Sequence, residues 1–269
     1  MSSNQVSMRD MLEAGVHFGH QLHRWNPKMR PYLWGAKNGI HIINLQRTVG
    51  LFRNALDFMS KMGQRGDKVM YVGTKRQAQE IVEQEASRSR QPYVAHRWLG
   101  GMLTNFRTIR MSLDRIEEIE RQLHVDNIDR LAKKEVNLLE REREKLLRNL
   151  GGVRDMKKVP GAILVIDTVK EHLAVSEARK LNIPVIALVD SNSDPTLVDY
   201  PIPSNDDAIR AIQLFVKALT DAYLAGAALH KDAVHAEYAP AAPRGGEAVD
   251  VVIKGDKAED KDGDDGDDA

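Results

Sequence analysis

The chain contains no cysteine, which excludes a disulfide framework and any thiolate metal site. Long apolar runs are missing too. The longest clean stretch, residues 185–189, is the length of a buried strand, far short of the roughly 20 residues that span a bilayer. Residues 1–9 are polar and lack the apolar centre of a secretory signal. Neither G-x-x-x-x-G-K-[ST] nor G-x-G-x-x-G occurs, so a nucleotide site would lack its glycine scaffold. There is no H-E-x-x-H zinc motif and no G-x-S-x-G nucleophile elbow. What remains is a chain of 269 residues, 42% hydrophobic, with enough apolar material for one large core or two small ones. The expectation is a soluble cytoplasmic protein with no membrane partner and no catalytic set.

Net charge is zero, from 39 basic and 39 acidic residues, but the distribution is uneven. Residues 1–112 hold 17 basic and 7 acidic groups, residues 113–158 hold 12 and 11, and residues 159–230 hold 5 and 9. Residues 231–269 hold 5 basic and 12 acidic groups. A basic first half points to a polyanionic partner, although a solvated basic surface shows the same imbalance.

Five apolar runs read as strands: residues 41–45, 69–72, 93–95, 162–166 and 185–189. The last two are continuous and rich in β-branched residues, as strands buried on both faces are. Helical patterns separate them over residues 47–62, 76–89, 170–180 and 206–224. Strands alternating with helices predict an α/β fold with a doubly wound parallel sheet, flavodoxin-like or Rossmann-like. The rhythm breaks between the third and fourth strands. There Phe106, Ile109, Leu113, Ile116, Ile119 and Leu123 fall at helical spacing, as do Leu131, Leu138, Leu139, Leu146 and Leu150 after a polar turn at 124–129. Paired glycines, Gly100-Gly101 and Gly151-Gly152, bracket the insertion. An antiparallel coiled-coil hairpin fits this narrow seam, and a small all-helical domain is the alternative. The expected organisation is therefore an α/β domain in two parts, 1–104 and 151–230, with a hairpin at 105–150 inserted as an arm that the sheet does not need. Residues 231–269 are expected to be a disordered acidic tail.

Several segments suit RNA. Gly73-Thr74-Lys75-Arg76 follows a strand and opens a helix, where free N–H groups and the helix dipole favour a phosphate; a plain strand-to-helix turn is the alternative. Arg97, Trp98, Asn105, Arg107 and Arg110 surround the first glycine hinge, where arginine forks grip phosphate and tryptophan can stack. The same Trp98 also fits a core aromatic that anchors the hairpin. His20, His23, Arg24, Lys28, Arg30 and Lys37, interleaved with Trp25, Tyr32 and Trp34, form an irregular basic and aromatic segment. Pro27 and Pro31 are expected to keep it from being helical. The candidate RNA contacts are thus His20, Arg24, Lys28, Lys75, Arg76, Arg97, Trp98, Asn105, Arg107 and Arg110.

Taken together, His96-Arg97-Trp98-Leu99-Gly100-Gly101-Met102-Leu103-Thr104-Asn105-Phe106, Val16-His17-Phe18-Gly19-His20, Trp25-Asn26-Pro27-Lys28-Met29 and Val72-Gly73-Thr74-Lys75-Arg76 strongly resemble the bacterial small-subunit ribosomal protein S-two family. The resemblance runs from about residue 7 to 226 and leaves the acidic tail outside. It implies a structural constituent of the small ribosomal subunit, with ribosomal RNA and neighbouring small-subunit proteins as partners. It also implies a coiled coil projecting from an α/β domain and support for docking of ribosomal protein S-one in translation. The rival reading is a small-molecule or phosphosugar-binding enzyme on a flavodoxin-like fold, since fold alone does not settle function.

One acidic group has the logic of a site. Asp167 and Asp190 end strands, where α/β folds place ligands. Asp206 and Asp207 open a helix, where capping alone also accounts for them. Asp190, Asp206 and Asp207, with His17, are expected to converge on a structural divalent cation, zinc if the imidazole takes part and magnesium if only carboxylates and water do. Asp167 is left out, on the expectation that its strand lies further from the helix at 206.

Overall fold

The β-branched runs that read as buried strands form the middle of a five-stranded sheet in a computed structural model that describes residues 6–124 and 132–238. In chain order the sheet strands are β4 (Val69–Val72), β5 (Tyr93–Val94), β6 (Ala162–Ile166), β7 (Val185–Val189) and β8 (Tyr200–Pro203), all parallel, in the spatial order β5-β4-β6-β7-β8. Every residue of β4, β6 and β7 is buried, so neither face is left for polar side chains. β8 escaped the sequence reading because Pro201 and Pro203 interrupt it. Proline removes a ladder donor and is confined to edges, and among the described residues β8 is an edge strand, paired with β7 alone.

Residues 41–45 do not belong to this sheet. β1 (Phe18–Gln21), β2 (Leu33–Lys37) and β3 (Ile40–Ile43) make a separate antiparallel sheet in the order β1-β3-β2. The basic and aromatic segment between β1 and β2 is not free of helix either: Pro27–Tyr32 forms a short 3₁₀ helix, with Pro27 at its first turn and Asn26 accepting from the Lys28 amide. Proline is tolerated there because the first-turn N–H groups have no helical partner.

The helices are α1 (Met8–Glu13), α2 (Leu45–Arg65), α3 (Arg76–Ser89), α4 (Phe106–Gln122), α5 (Lys133–Leu150), α6 (His172–Lys180) and α7 (Ile209–Tyr238). They sort onto two faces. Phe52, Ala55 and Met59 of α2, Ala78 and Val82 of α3, and Ile212, Phe215 and Leu219 of α7 pack with Tyr71, Leu164 and Ile186 of the sheet. On the other face Ala174, Val175 and Ala178 of α6 pack with Met70, Ile163 and Val165.

Three expectations need correction. Ile109, Leu113 and Ile116 of α4 and Leu150 of α5 lie in the same buried cluster as the second sheet face. The base of the helical pair is thus core, not a detachable arm, because the apolar seam continues into the sheet. α4 and α5 lie against each other, with Arg115 Nε 3.1 Å from Glu142 Oε1; most of the turn expected at 124–129 falls outside the described residues. Next, α7 runs through Tyr238, so the tail expected from residue 231 begins inside a helix; residues 239–269 lie outside the described part. Finally, residues 209–230 are long and apolar enough to pass for a membrane span by length and composition. In the fold, Ala211, Ile212, Phe215, Val216 and Leu219 of this helix are fully buried against α2 and the sheet.

Candidate functional site

Parallel strands deliver all their carboxyl ends to one edge. From β4 the chain crosses to β5 on one side, whereas β6, β7 and β8 step away on the other. The carboxyl ends of β4 and β6 therefore flank the switch point where an open α/β sheet forms a crevice. Lys75 follows β4, Asp167 follows β6, Asp190 follows β7, and Asp206 and Asp207 follow β8. His20 arrives from β1 of the small sheet. It can do so because Gly19 has no side chain: a Cβ there would stand 2.9 Å from Ser191 Oγ and 3.0 Å from Asp190 Oδ1. The His20 amide donates to Ser191 Oγ at 2.8 Å, which pins β1 to this edge.

The side chains converge. Lys75 Nζ lies 2.7 Å from Asp206 Oδ1, 2.6 Å from Asp207 Oδ1 and 3.4 Å from Asp167 Oδ2. Burial opposes the ammonium charge, but these carboxylates outweigh it and push the lysine above its usual range. Across the cluster His20 Nδ1 is 3.0 Å from Asp190 Oδ2, though outside good hydrogen-bond alignment, and His20 Nε2 is 3.7 Å from Asp207 Oδ2. The Asp190 contact raises the imidazole pKa. Asp206 is fully buried; its Oδ1 takes Lys75, and its Oδ2 has no hydrogen-bond partner among the described residues. Burial, then repulsion from Asp190 and Asp167, pushes its carboxyl up to about 7. Ligand atoms of His20, Asp190 and Asp206 all lie within 4.8 Å of one another, the spacing of a cation site.

This geometry revises the expected set. The imidazole in the cluster is His20, not His17. The His17 ring lies against Phe18 at 4.0 Å, its Nδ1 is buried without a hydrogen-bond partner among the described residues, and burial lowers its pKa. Asp207 touches the cluster through Lys75 and His20 rather than within the close trio. Asp167 stays outside the close trio: its strand, β6, is separated from β8 by β7, and it reaches the group only through Lys75 at 3.4 Å. At the start of the last helix the cap is Asn205 rather than a carboxylate: its Oδ1 accepts the amides of Asp207 at 2.8 Å and Ala208 at 3.0 Å, leaving Asp206 to turn inward.

The candidate RNA contacts divide. Lys75 pairs with carboxylates, and the turn before it is filled from within: the Thr74 amide donates to Glu171 Oε1 at 2.9 Å. Burial raises the Glu171 pKa. Trp98 is buried, with its indole N–H donating to Glu177 Oε1 at 3.1 Å, as a core aromatic anchoring the hairpin would be. His20 faces the acidic edge. Arg24, Lys28, Arg76, Arg97, Asn105, Arg107 and Arg110 are exposed. Of these, Lys28 pairs with Asp194 at 2.6 Å, Arg110 donates to the Met156 carbonyl, and Asn105 accepts from Thr108. The sequence reading missed Glu171 and Glu177. The signal for Glu177 was present: it shares the apolar stripe of α6 with Ala174 and Ala178, where an unpaired carboxylate is costly.

Comparison with known proteins identifies the chain's relatives. The pattern of the family described as ribosomal protein S2 matches residues 11–226. A small ribosomal subunit protein uS2 of Maridesulfovibrio salexigens is 53% identical over 251 residues, covering 93% of this chain and 96% of its own length. One of Hahella chejuensis is 55% identical over 223 residues, covering 83% of this chain and 88% of its own.

Proposed function

The chain belongs to the ribosomal protein S2 family, as a structural protein of the small ribosomal subunit and not an enzyme, and we propose that ribosomal RNA bound along the basic first half holds it there. The observation that carries this reading is the root of the helical pair, where Arg97, Arg107 and Arg110 are all exposed. Residues 1–112 carry ten more basic than acidic groups, and phosphate contacts supply most of the affinity of such surfaces. In this reading α4 and α5, within the inserted segment 105–150, form an antiparallel coiled coil that reaches along the RNA. Arg76, Arg24 and Lys28 extend the contact, whereas Lys75, Trp98 and His20 are withdrawn from it. The filled turn at Thr74 fits this reading better than a phosphosugar enzyme.

The acidic edge has a different role. It supports docking of ribosomal protein S-one, as the family resemblance implies, and it is ordered by a divalent cation on His20, Asp190 and Asp206. The orphaned Asp206 Oδ2 supports a cation, since an unpaired buried carboxylate oxygen is costly. Carboxylates with one imidazole suit zinc.

The test of the RNA reading is a triple charge reversal, Arg97→Glu with Arg107→Glu and Arg110→Glu, in a tagged full-length chain. The expected outcome is a protein with wild-type circular dichroism and melting that is depleted from small subunits on sucrose gradients, with the loss deepening as salt rises. A folded triple variant present at wild-type occupancy would overturn the reading.

A further inference from the structure

Glu177 is a negative charge held without a cation. Among the described residues no lysine, arginine or histidine forms an ion pair with it, and it is 7% exposed. Its donors come instead from one short stretch of chain. Oε1 accepts the Trp98 indole N–H at 3.1 Å and the Gly101 amide at 2.7 Å. Oε2 accepts the Leu103 amide, the Thr104 amide and the Thr104 hydroxyl, each at 3.0 Å. Burial works against the charge, but these bonds, those of Thr104 and Gly101 foremost, hold the carboxyl below its ordinary range.

The donor stretch is the glycine turn between β5 and α4. Gly101 sits at φ +89, a left-handed conformation in which a Cβ would also meet Asn105 Cβ at 3.1 Å. A turn of this kind aims successive N–H groups inward and makes a concave anion receptor. Here the anion belongs to the protein, on a helix packed against the sheet. Trp98, Met102 and Leu103 from the turn, Ile109 and Leu113 from α4, and Ala174 and Ala178 from α6 share one buried cluster. Glu177 is thus the polar joint within that cluster, tying the root of α4 to α6.

We propose that Glu177 is the positioning residue of the helical pair: its carboxylate clamps the 98–104 turn, fixes the direction in which α4 and α5 leave the sheet, and so sets the presentation of Arg97, Arg107 and Arg110. The last step rests on the RNA reading above. The clamp requires charge and two acceptor oxygens. Gln has nearly the same shape but presents one oxygen and one NH₂, which faces amide donors, so Glu177→Gln breaks one side of the clamp without emptying the space.

The experiment uses the full-length chain, whose lack of cysteine lets spin labels be placed at Glu140→Cys on α5 and Lys217→Cys on α7. Electron–electron distance measurement on the wild-type background should give one narrow distribution. On the Glu177→Gln background it should broaden or shift, with amide exchange at Gly101, Leu103 and Thr104 faster by about tenfold, the scale of one lost charged hydrogen bond. Exchange in the strand Ala162–Ile166 should not change, which separates loss of the clamp from loss of the fold. The unlabelled Glu177→Gln chain should also be depleted from small subunits. Identical distance distributions overturn the proposal, as does a loosened helical pair with wild-type subunit occupancy. If Glu177→Gln does not fold, Trp98→Phe with Thr104→Val removes two of the five donors and keeps the carboxylate; it should broaden the distribution to a lesser degree, and an unchanged distribution overturns the proposal equally. The triple arginine reversal leaves Glu177 and its donors in place. Normal occupancy of that variant defeats the RNA reading while the distance result still decides the clamp.

Discussion

Replacing Asp206 by Asn should remove most of a pH dependence of stability that the wild-type chain carries. Asp206 is fully buried, and burial together with Asp190 and Asp167 pushes its carboxyl from 3.8 up to about 7. An unfolded aspartate titrates near its ordinary value of about 3.9. Between those two values the folded chain keeps a proton that the unfolded chain has released. Stability therefore falls as pH rises through this window. The full interval corresponds to about 4 kcal/mol, and the part between pH 5 and 7 to about 2–3 kcal/mol. His20 adds to the trend: its pKa is raised, so its contribution is present below the ordinary histidine range and is lost as pH climbs through the folded value. The other groups facing Asp206 are Asp167, Asp190, Asp207 and Lys75, and the lysine stays charged throughout. Asn keeps an acceptor for Lys75 but has nothing to titrate. Urea unfolding at half-unit steps from pH 5 to 7.5, in chelator, gives the free energy of each protein. The advantage of Asp206→Asn over wild type should grow by about 2–3 kcal/mol from pH 5 to 7. A difference that stays level across this range would refute the argument, because it would mean that the carboxylate is not held neutral in the fold.

The cation proposal predicts that purified wild-type chain retains stoichiometric zinc or another divalent metal, alone or with its protein partner bound, and that Asp190→Ala with Asp206→Ala abolishes it. Metal analysis finding none in either wild-type sample would leave Lys75 and His20 as the counter-ions among the described residues. Joining Gly100 to Gly152 through a short glycine linker, which removes α4 and α5, should eliminate the cooperative unfolding transition rather than leave a stable sheet domain. Ile109, Leu113, Ile116 and Leu150 are nearly fully buried, and at about 1.5–3 kcal/mol each their loss is comparable to the whole stability of a domain, about 5–15 kcal/mol; a sharp thermal transition in the deletion variant, near that of wild type, would show that the helical pair is separable after all.

The accuracy of the sequence reading followed how local the governing physics was. The helix at residues 76–89 was placed to the residue, because its start follows a strand and its end reaches Arg90 in the left-handed conformation, where it closes the last turn. β6 and β7 were placed to the residue because a continuous β-branched run has little other use than burial on both faces. β8 was invisible because two prolines contradict a strand everywhere except at an edge, and the edge is a property of the sheet. The α/β sheet and the two helices at 106–122 and 133–150 were legible; the sharing of their base with the sheet core was not, since periodicity marks an apolar face without naming what covers it.

Four quoted motifs carried the resemblance to the family, and composition and spacing gave the parallel sheet, the basic first half and the acidic group at the strand ends. Those features depend on residue type and on neighbours a few positions away, which the sequence records directly. Tertiary structure alone decided which charges meet. Lys75 and Asp206 are 131 residues apart and join at 2.7 Å. His20 displaced His17 because β1 carries His20 to the acidic edge, where Gly19 lets it approach Asp190 and Ser191, whereas His17 lies before the strand with its ring against Phe18. Trp98 became a donor to Glu177, 79 residues on. Side-chain electrostatics acts over a few ångströms in space, and separation along the chain carries no information about that distance until the sheet order brings the strand ends together.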